Sequence, residues 1–249
     1  MIFLKNILTI ITLSFLIGYH VSSQTEYPRI TVTDDIEIIK ISEHSYIHIS
    51  YIDTLQYRRI ASNGFILVNN GKALLFDTPM TEALTKDLVN WITDSLETVI
   101  IGFVPNHWHN DCMGGLDYLH HLGIKSYAFD LTREIAKSRN LPIPQNGFSD
   151  SLTLKLDNLE VVCKYHGAAH SMDNIVAWVP SERILFAGCM VKDIRTQNLG
   201  NTIDGDLNEY PNTIKTVMKE YQYARIVIPG HGQFGGVELL KHTLDLATQ

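Results

Sequence analysis

The sequence predicts an α/β protein of the α+β kind, in which two mixed β-sheets pack face to face with helices on the outside. Three observations carry this. Residues 30 to 76 read as strand after strand, the pattern switches at Asp77-Thr78-Pro79 to alternating helix and strand, and the same order of strands followed by strand-helix units returns from residue 151 onward. A sheet with one apolar face and a helix with one apolar stripe must each bury it, and stacked layers satisfy both.

Taken in order, the first strands are Ile36 to Ile41, Ser45 to Ile49, Gly64 to Val68 and Ala73 to Phe76, the last two joined by Asn69-Asn70-Gly71-Lys72, a hairpin signal. Residues 51 to 63 are polar, aromatic and unpatterned, and are expected to form a flap or a plain surface loop. Leu84, Leu88, Trp91 and Ile92 fall at helical spacing and predict an amphipathic helix against a sheet. Thr98 to Val104 follows as a β-branched strand, residues 111 to 122 as a helix, and residues 131 to 139 as a short helix stopped by Pro142. The second group of strands covers residues 151 to 156, 159 to 164, 174 to 179 and 183 to 187, with Pro180 to Arg183 as a turn. Ile214, Val217, Met218 and Tyr221 mark a helix, Arg225 to Ile228 a strand, and Val237, Leu240 and Leu244 a terminal helix.

The N-terminus reads differently. Lys5 precedes an apolar run over residues 7 to 19, and Val21-Ser22-Ser23 supplies small residues before Gln24, the pattern of a secretory signal peptide over residues 1–23. The run is shorter than the roughly 20 residues that span a bilayer. The expected product is one exported domain over residues 24–249, with no membrane attachment after processing. With 27 acidic against 20 basic side chains, a formal charge of -7 and no basic run, nucleic acid is excluded as a partner class. A composition that is 45% hydrophobic and 19% charged belongs to a packed protein, compatible with a soluble monomer. The three cysteines, Cys112, Cys163 and Cys189, are an odd number for an oxidising compartment, so at least one thiol needs a role other than a disulfide.

The chemistry is concentrated at strand ends. In Val104-Pro-Asn-His-Trp-His-Asn-Asp-Cys-Met-Gly-Gly, the side chains of His107, His109 and Asp111 share one face if the segment is extended, which suits metal ligands. The plainer alternative is two polar histidines at a strand end beside a helix-capping Asp. His170, Cys189 and His231 also sit at strand ends, although singly they read as a loop histidine, a small buried hydrophobe and a turn residue. Together the six suffice for two zinc ions with open positions, since catalytic zinc keeps about three protein ligands. A metal-bound thiolate also accounts for Cys189. The other histidines have no ligand-like context, and Cys163 lies in an apolar run that reads as core.

From about residue 30 to 245 these motifs resemble the class B β-lactamases, specifically the dizinc subclass B1; residues 104 to 119, 170 to 193 and 225 to 236 carry the resemblance. It implies the four-layer αββα sandwich of the metallo-β-lactamase superfamily. It further implies one Zn²⁺ held by His107, His109 and His170, and a second held by Asp111, Cys189 and His231. Lys192 would receive the substrate carboxylate, Asn201 would donate to the oxyanion, and Asp77 would orient metal ligands. Cys112 stands where many relatives carry Arg or Ser, near the second zinc. Residues 51 to 63, with Tyr51, Leu55 and Tyr57, match the hairpin flap that closes over substrate in the family.

Glyoxalase-like members carry a His after the motif Asp and an Asp bridging both metals, where this chain has Cys112 and Cys189. The mono-zinc lactamases carry Asn at the first motif His, where this chain has His107. The implied activity is hydrolysis of the β-lactam amide of penicillins, cephalosporins and carbapenems by a hydroxide generated between the metals, conferring antibiotic resistance from the periplasm. Asp111, Asn201 and Lys192 would be the catalytic side chains. The alternatives are another secreted dizinc hydrolase acting on an ester, thioester or phosphoester, and a non-catalytic zinc-binding protein.

Overall fold

The computed structural model describes residues 27–54 and 58–249, so the expected signal peptide and the flap residues Leu55 and Tyr57 lie outside the described residues. Five strands open the chain: β1 (Arg29–Thr33), β2 (Ile36–Lys40), β3 (Ser45–Thr54), β4 (Arg58–Asn69) and β5 (Lys72–Phe76). They pair antiparallel in sequence order. Helix α1 (Glu82–Ser95) then crosses back, and β6 (Val99–Val104) joins parallel to β5. A parallel neighbour requires such a crossover. Thr81 caps α1, its hydroxyl accepting from Leu84 N at 3.3 Å.

Helices α2 (Asn110–Met113) and α3 (Leu116–His121) follow. The single helix expected over residues 111 to 122 is broken at Gly114-Gly115, where a Cβ on Gly114 would collide with the Met80 carbonyl and one on Gly115 with Thr85. Next come β7 (Tyr127–Phe129), α4 (Asp130–Ser138) and β8 (Asn146–Phe148), with β7 and β8 forming a separate two-stranded parallel sheet. The second large sheet is built from β9 (Ser151–Leu156), β10 (Leu159–Tyr165), β11 (Ile175–Val179), β12 (Ile184–Gly188) and, after α5 (Tyr210–Glu220), β13 (Ile226–Pro229). Its order is β13-β12-β11-β10-β9, with only the β12–β13 pair parallel, again across a helix. Helix α6 (Glu238–Ala247) ends the chain.

Three apolar clusters define the layers. Phe65, Phe76 and Ile47 of the first sheet meet Phe186, Val161 and Ile226 of the second in the central core. Ile38, Ile66 and Leu75 point to the other face of the first sheet and meet Leu88, Trp91 and Ile92 of α1 with Leu116 and Leu119 of α3. Val176, Leu185 and Val227 do the same on the second sheet against Ile214 and Val217 of α5 and Leu240 of α6. The result is helix, sheet, sheet, helix, the αββα order expected. Each buried Leu, Ile or Phe contributes about 1.5–3 kcal/mol by leaving water.

The unpatterned stretch is paired strand on both sides, as the family's hairpin flap implies and the loop reading does not. Tyr51 to Thr54 and Arg58 to Asn63 prolong β3 and β4 as a hairpin, with Tyr51 opposite Ala61, Ile52 opposite Ile60 and Asp53 opposite Arg59. Arg59 explains why this polar stretch stays a strand: it pairs with Asp35 at 2.9 Å and lies over the Tyr51 ring at 4.7 Å. Among the described residues, no helix is long and apolar enough to cross a membrane.

Candidate metal centre

The chemically distinctive residues gather where β6, β11, β12 and β13 meet the loops at one edge of the sandwich. Just beyond β6, Asn106 N donates to Asp77 Oδ1 at 2.5 Å. Asp77 is buried with φ of 58° at the end of β5. Burial pushes its carboxyl well above the usual range, helped by the charge of Asp111 and opposed by the Asn106 amide. This bond holds the turn that delivers the next residues.

His107 Nε2 lies 2.8 Å from His109 Nδ1, and His170 Nε2 lies 3.3 Å from the same atom. Three ring nitrogens therefore converge. Their outward nitrogens show which atoms carry protons, because His109 Nε2 faces Asp204 Oδ2 at 3.1 Å and His107 Nδ1 faces Asn106 Oδ1 at 3.2 Å. Both outward positions must donate N–H, so both inward nitrogens present lone pairs. Lone pairs pointing at one another are stabilised by a shared proton or by a metal cation between them. Burial also holds His107 neutral, down to about 3, and lowers His170 further in the same direction.

The second group follows the same logic. His231 Nδ1 donates to the Ala61 carbonyl at 2.7 Å, which leaves Nε2 to face Asp111 Oδ2 at 3.1 Å. Cys189 Sγ lies 3.5 Å from that oxygen, and one ligand atom from each of Asp111, Cys189 and His231 falls within 4.8 Å of the others. His107, His170 and Cys189 also satisfy that limit, so the two triplets share one basin. Nitrogen, thiolate and carboxylate are the donors zinc takes, in sets of three that leave positions open. The residues present fit the metal.

Without a cation, protons hold this basin together. Burial opposes the charge on Asp111, yet the hydrogen bond and charge of His231 keep its carboxyl far below the usual range. His231 is raised well above its ordinary value, with Cys189 and Asp111 overcoming burial, and burial raises the Cys189 thiol. Metal entry must therefore release protons.

The remaining expected residues fall into two sets. Cys112 Sγ is buried 3.1 Å from His107 Nδ1 and 3.9 Å from Asp111 Oδ1, beneath both triplets. Lys192 lies beside the basin, its Nζ donating to the Cys189 carbonyl at 2.8 Å, and burial lowers its pKa. Asn201, by contrast, is exposed on the loop before α5, its Oδ1 accepting from Ile203 N at 3.2 Å. Among the described residues, no hydrogen bond joins it to the cluster.

Several participants carry no signal in the sequence. Asp204 lies 95 residues from the His109 it touches. Asn63 braces the turn before His231, its Nδ2 donating to Pro229 O and Gly232 O, each at 2.9 Å, and its N donating to Gly230 O at 2.8 Å. His48 is fully buried, Nε2 donating to Asp77 O at 3.1 Å, and burial lowers it to about 4. Its ring crosses Gly64 on the paired strand, where any Cβ would strike it.

Comparison with known proteins gives a consistent picture. A Bacteroides fragilis protein named metallo-beta-lactamase type 2 is 45% identical over 220 residues, 88% of each chain. A Bacillus cereus protein of the same name is 33% identical over 214 residues, 86% of this chain and 83% of its own. The solved metallo-beta-lactamase from Pontibacter korlensis superposes with a TM-score of 0.83 at 34% identity, covering 86% of this chain and 99% of its own. No family model matches the chain.

Proposed function

The chain belongs to the class B metallo-β-lactamases, and from that premise we propose that it opens the β-lactam amide of penicillins, cephalosporins and carbapenems as a zinc hydrolase of the dizinc subclass B1. The carrying observation is the set of lone pairs and anionic donors that converge in two triplets while the outward nitrogens of His107, His109 and His231 meet acceptors. In this reading His107 Nε2, His109 Nδ1 and His170 Nε2 hold one zinc, and Asp111, Cys189 Sγ and His231 Nε2 hold a second. Bound zinc supplies a water acidified to a pKa of about 7 and Lewis-acid polarisation of the amide carbonyl.

The side chains do the rest. Asp111 presents a carboxylate to the reacting water and keeps it aligned with the carbonyl. Lys192 offers a partly buried ammonium beside Cys189, suited to a charge-assisted bond with the carboxylate that β-lactams carry next to the ring nitrogen. Asn201 has its carboxamide oxygen tied to Ile203 N, so its NH₂ is the end free to donate to the oxyanion as the loop meets substrate. One such donor is worth about 3 kcal/mol of barrier. Asp77 and Cys112 act from beneath, the first through the Asn106 backbone and the second against His107.

Residues 1–23 would be removed on export, and residues 24–249 would act in the periplasm as a single-domain monomer conferring resistance. The other hydrolase reading is not favoured, because the relatives are metallo-β-lactamases. The test follows hydrolysis of a carbapenem by ultraviolet absorbance with the zinc-loaded chain from Gln24. Turnover should be abolished by a chelator and by His107→Ala. A zinc-loaded protein that opens none of the three β-lactam classes overturns the proposal.

A further inference from the structure

Arg139, outside both ligand triplets, touches the site by two routes. It is the C-cap residue of α4, whose start is set by the small sheet of β7 and β8. Its Nη2 donates to Asp204 Oδ1 at 3.1 Å, while the other oxygen of that carboxylate receives His109 Nε2 at 3.1 Å. The same guanidinium lies 3.9 Å above the centre of the Trp108 ring. Trp108 in turn sits between His107 and His109 in the chain and packs edge-on against the His109 ring at 4.5 Å between centroids.

We infer that Arg139 is a positioning residue for His109: it fixes the Asp204 carboxylate that selects the His109 tautomer, and it clamps the indole that sets the ring's tilt. The loop between β12 and α5 anchors Asp204 by its backbone, its carbonyl accepting from Met172 N at 2.9 Å, while its carboxylate is held by Arg139 and His109. A carboxylate shared between a guanidinium and an imidazole N–H has both oxygens engaged and one orientation. Without the guanidinium it is free to turn to water, and His109 Nδ1 loses its fixed direction. The planar fork that allows Arg both to donate to Asp204 and to stack on Trp108 is not available to Lys.

The inference rests on His109 being a zinc ligand, and the experiment separates the two. A side cavity of about 270 Å³, lined by Trp108, Arg139 and Asp204 among others, already opens here, so truncation at 139 enlarges a wet space and leaves the core intact. Zinc affinity of the purified enzyme is measured by competition with a chromogenic chelator for wild type, Arg139→Ala, Arg139→Lys and His109→Ala. The His109 ring N–H is followed by ¹⁵N NMR in the zinc-loaded protein.

Groups bonded directly to a ligating His typically change affinity about 10–100-fold. Arg139 acts one bond further out with its side chain 49% exposed, so Arg139→Ala should weaken one zinc by about 3–10-fold. Its His109 Nε2–H should exchange faster with water, and saturating zinc should restore most of kcat. Arg139→Lys should fall between, and it serves as the decisive variant if the alanine form does not fold. Unchanged zinc affinity and an unchanged ring N–H in the Arg139 variants overturn the inference. Retention of both zinc ions by His109→Ala would instead show that the ligand reading has failed, and the inference with it.

Discussion

Asn63 is the residue through which the first sheet holds the His231 turn, and Asn63→Ala is the sharpest test of that connection. The carboxamide is buried, 4% exposed, and donates to two carbonyls at 2.9 Å. Alanine removes both donors and leaves Pro229 O buried without one, while the exposed Gly232 exchanges its bond for water. A net hydrogen bond is worth about 1 kcal/mol, and a buried acceptor left unpaired costs about 1–3 kcal/mol. The expected loss is therefore about 2–4 kcal/mol, a large share of the roughly 5–15 kcal/mol of a typical domain. Urea denaturation of the metal-free protein measures it as a shift in midpoint at constant slope. The variant should also bind its second zinc more weakly, because the turn ends in His231. A loss below about 0.5 kcal/mol together with unchanged zinc affinity would refute the reasoning.

Three further outcomes are expected. His48 is held neutral by burial, at about 4 against 6.5 when unfolded, so between these values the unfolded chain binds the extra proton and stability falls as pH is lowered. At about 1.4 kcal/mol per pKa unit this amounts to about 3 kcal/mol, fully present above pH 6.5; His48→Gln should lower the slope of the metal-free stability profile across that window by about one proton, leaving the slope that His107 and His170 contribute. Lys192→Ala should raise KM about 10-fold or more with a smaller effect on kcat in steady-state kinetics, because a carboxylate whose charge does not change during bond breaking is held alike in ground and transition states. Gly230→Ala would drive a Cβ into Cys189 Sγ and to 2.6 Å from Cys189 N, so elemental analysis should find the second zinc lost and the first retained.

The features legible in the sequence are those encoded over short distances. His107, His109 and Asp111 lie within five residues, and the helical spacing of Leu88 and Ile92 is local, so pattern alone exposed them. The supports of the site are not local: Asn63 reaches across 169 residues to Gly232, and Asp204 reaches His109 only because two loops meet at the sandwich edge. The hairpin of β3 and β4 is hidden by its own chemistry, since Arg59 pairs with Asp35 and Asp53 at the sheet surface and the charged stretch leaves no apolar alternation to read. The strands β7 and β8 have three residues each, too few for a period of two to register. Asn201 shows the converse, a residue expected from the family motif whose carboxamide bonds within its own turn.

The central claim, that two triplets of side chains hold the zinc on which β-lactam hydrolysis depends, is tested most directly by titrating the metal-free enzyme with zinc while recording bound metal and turnover at each addition. Wild type should bind two equivalents and gain activity as they bind, whereas His107→Ala and Cys189→Ala should each lose an equivalent and nearly all turnover. Hydrolysis that proceeds undiminished in either variant, or in the metal-free protein, would contradict the account.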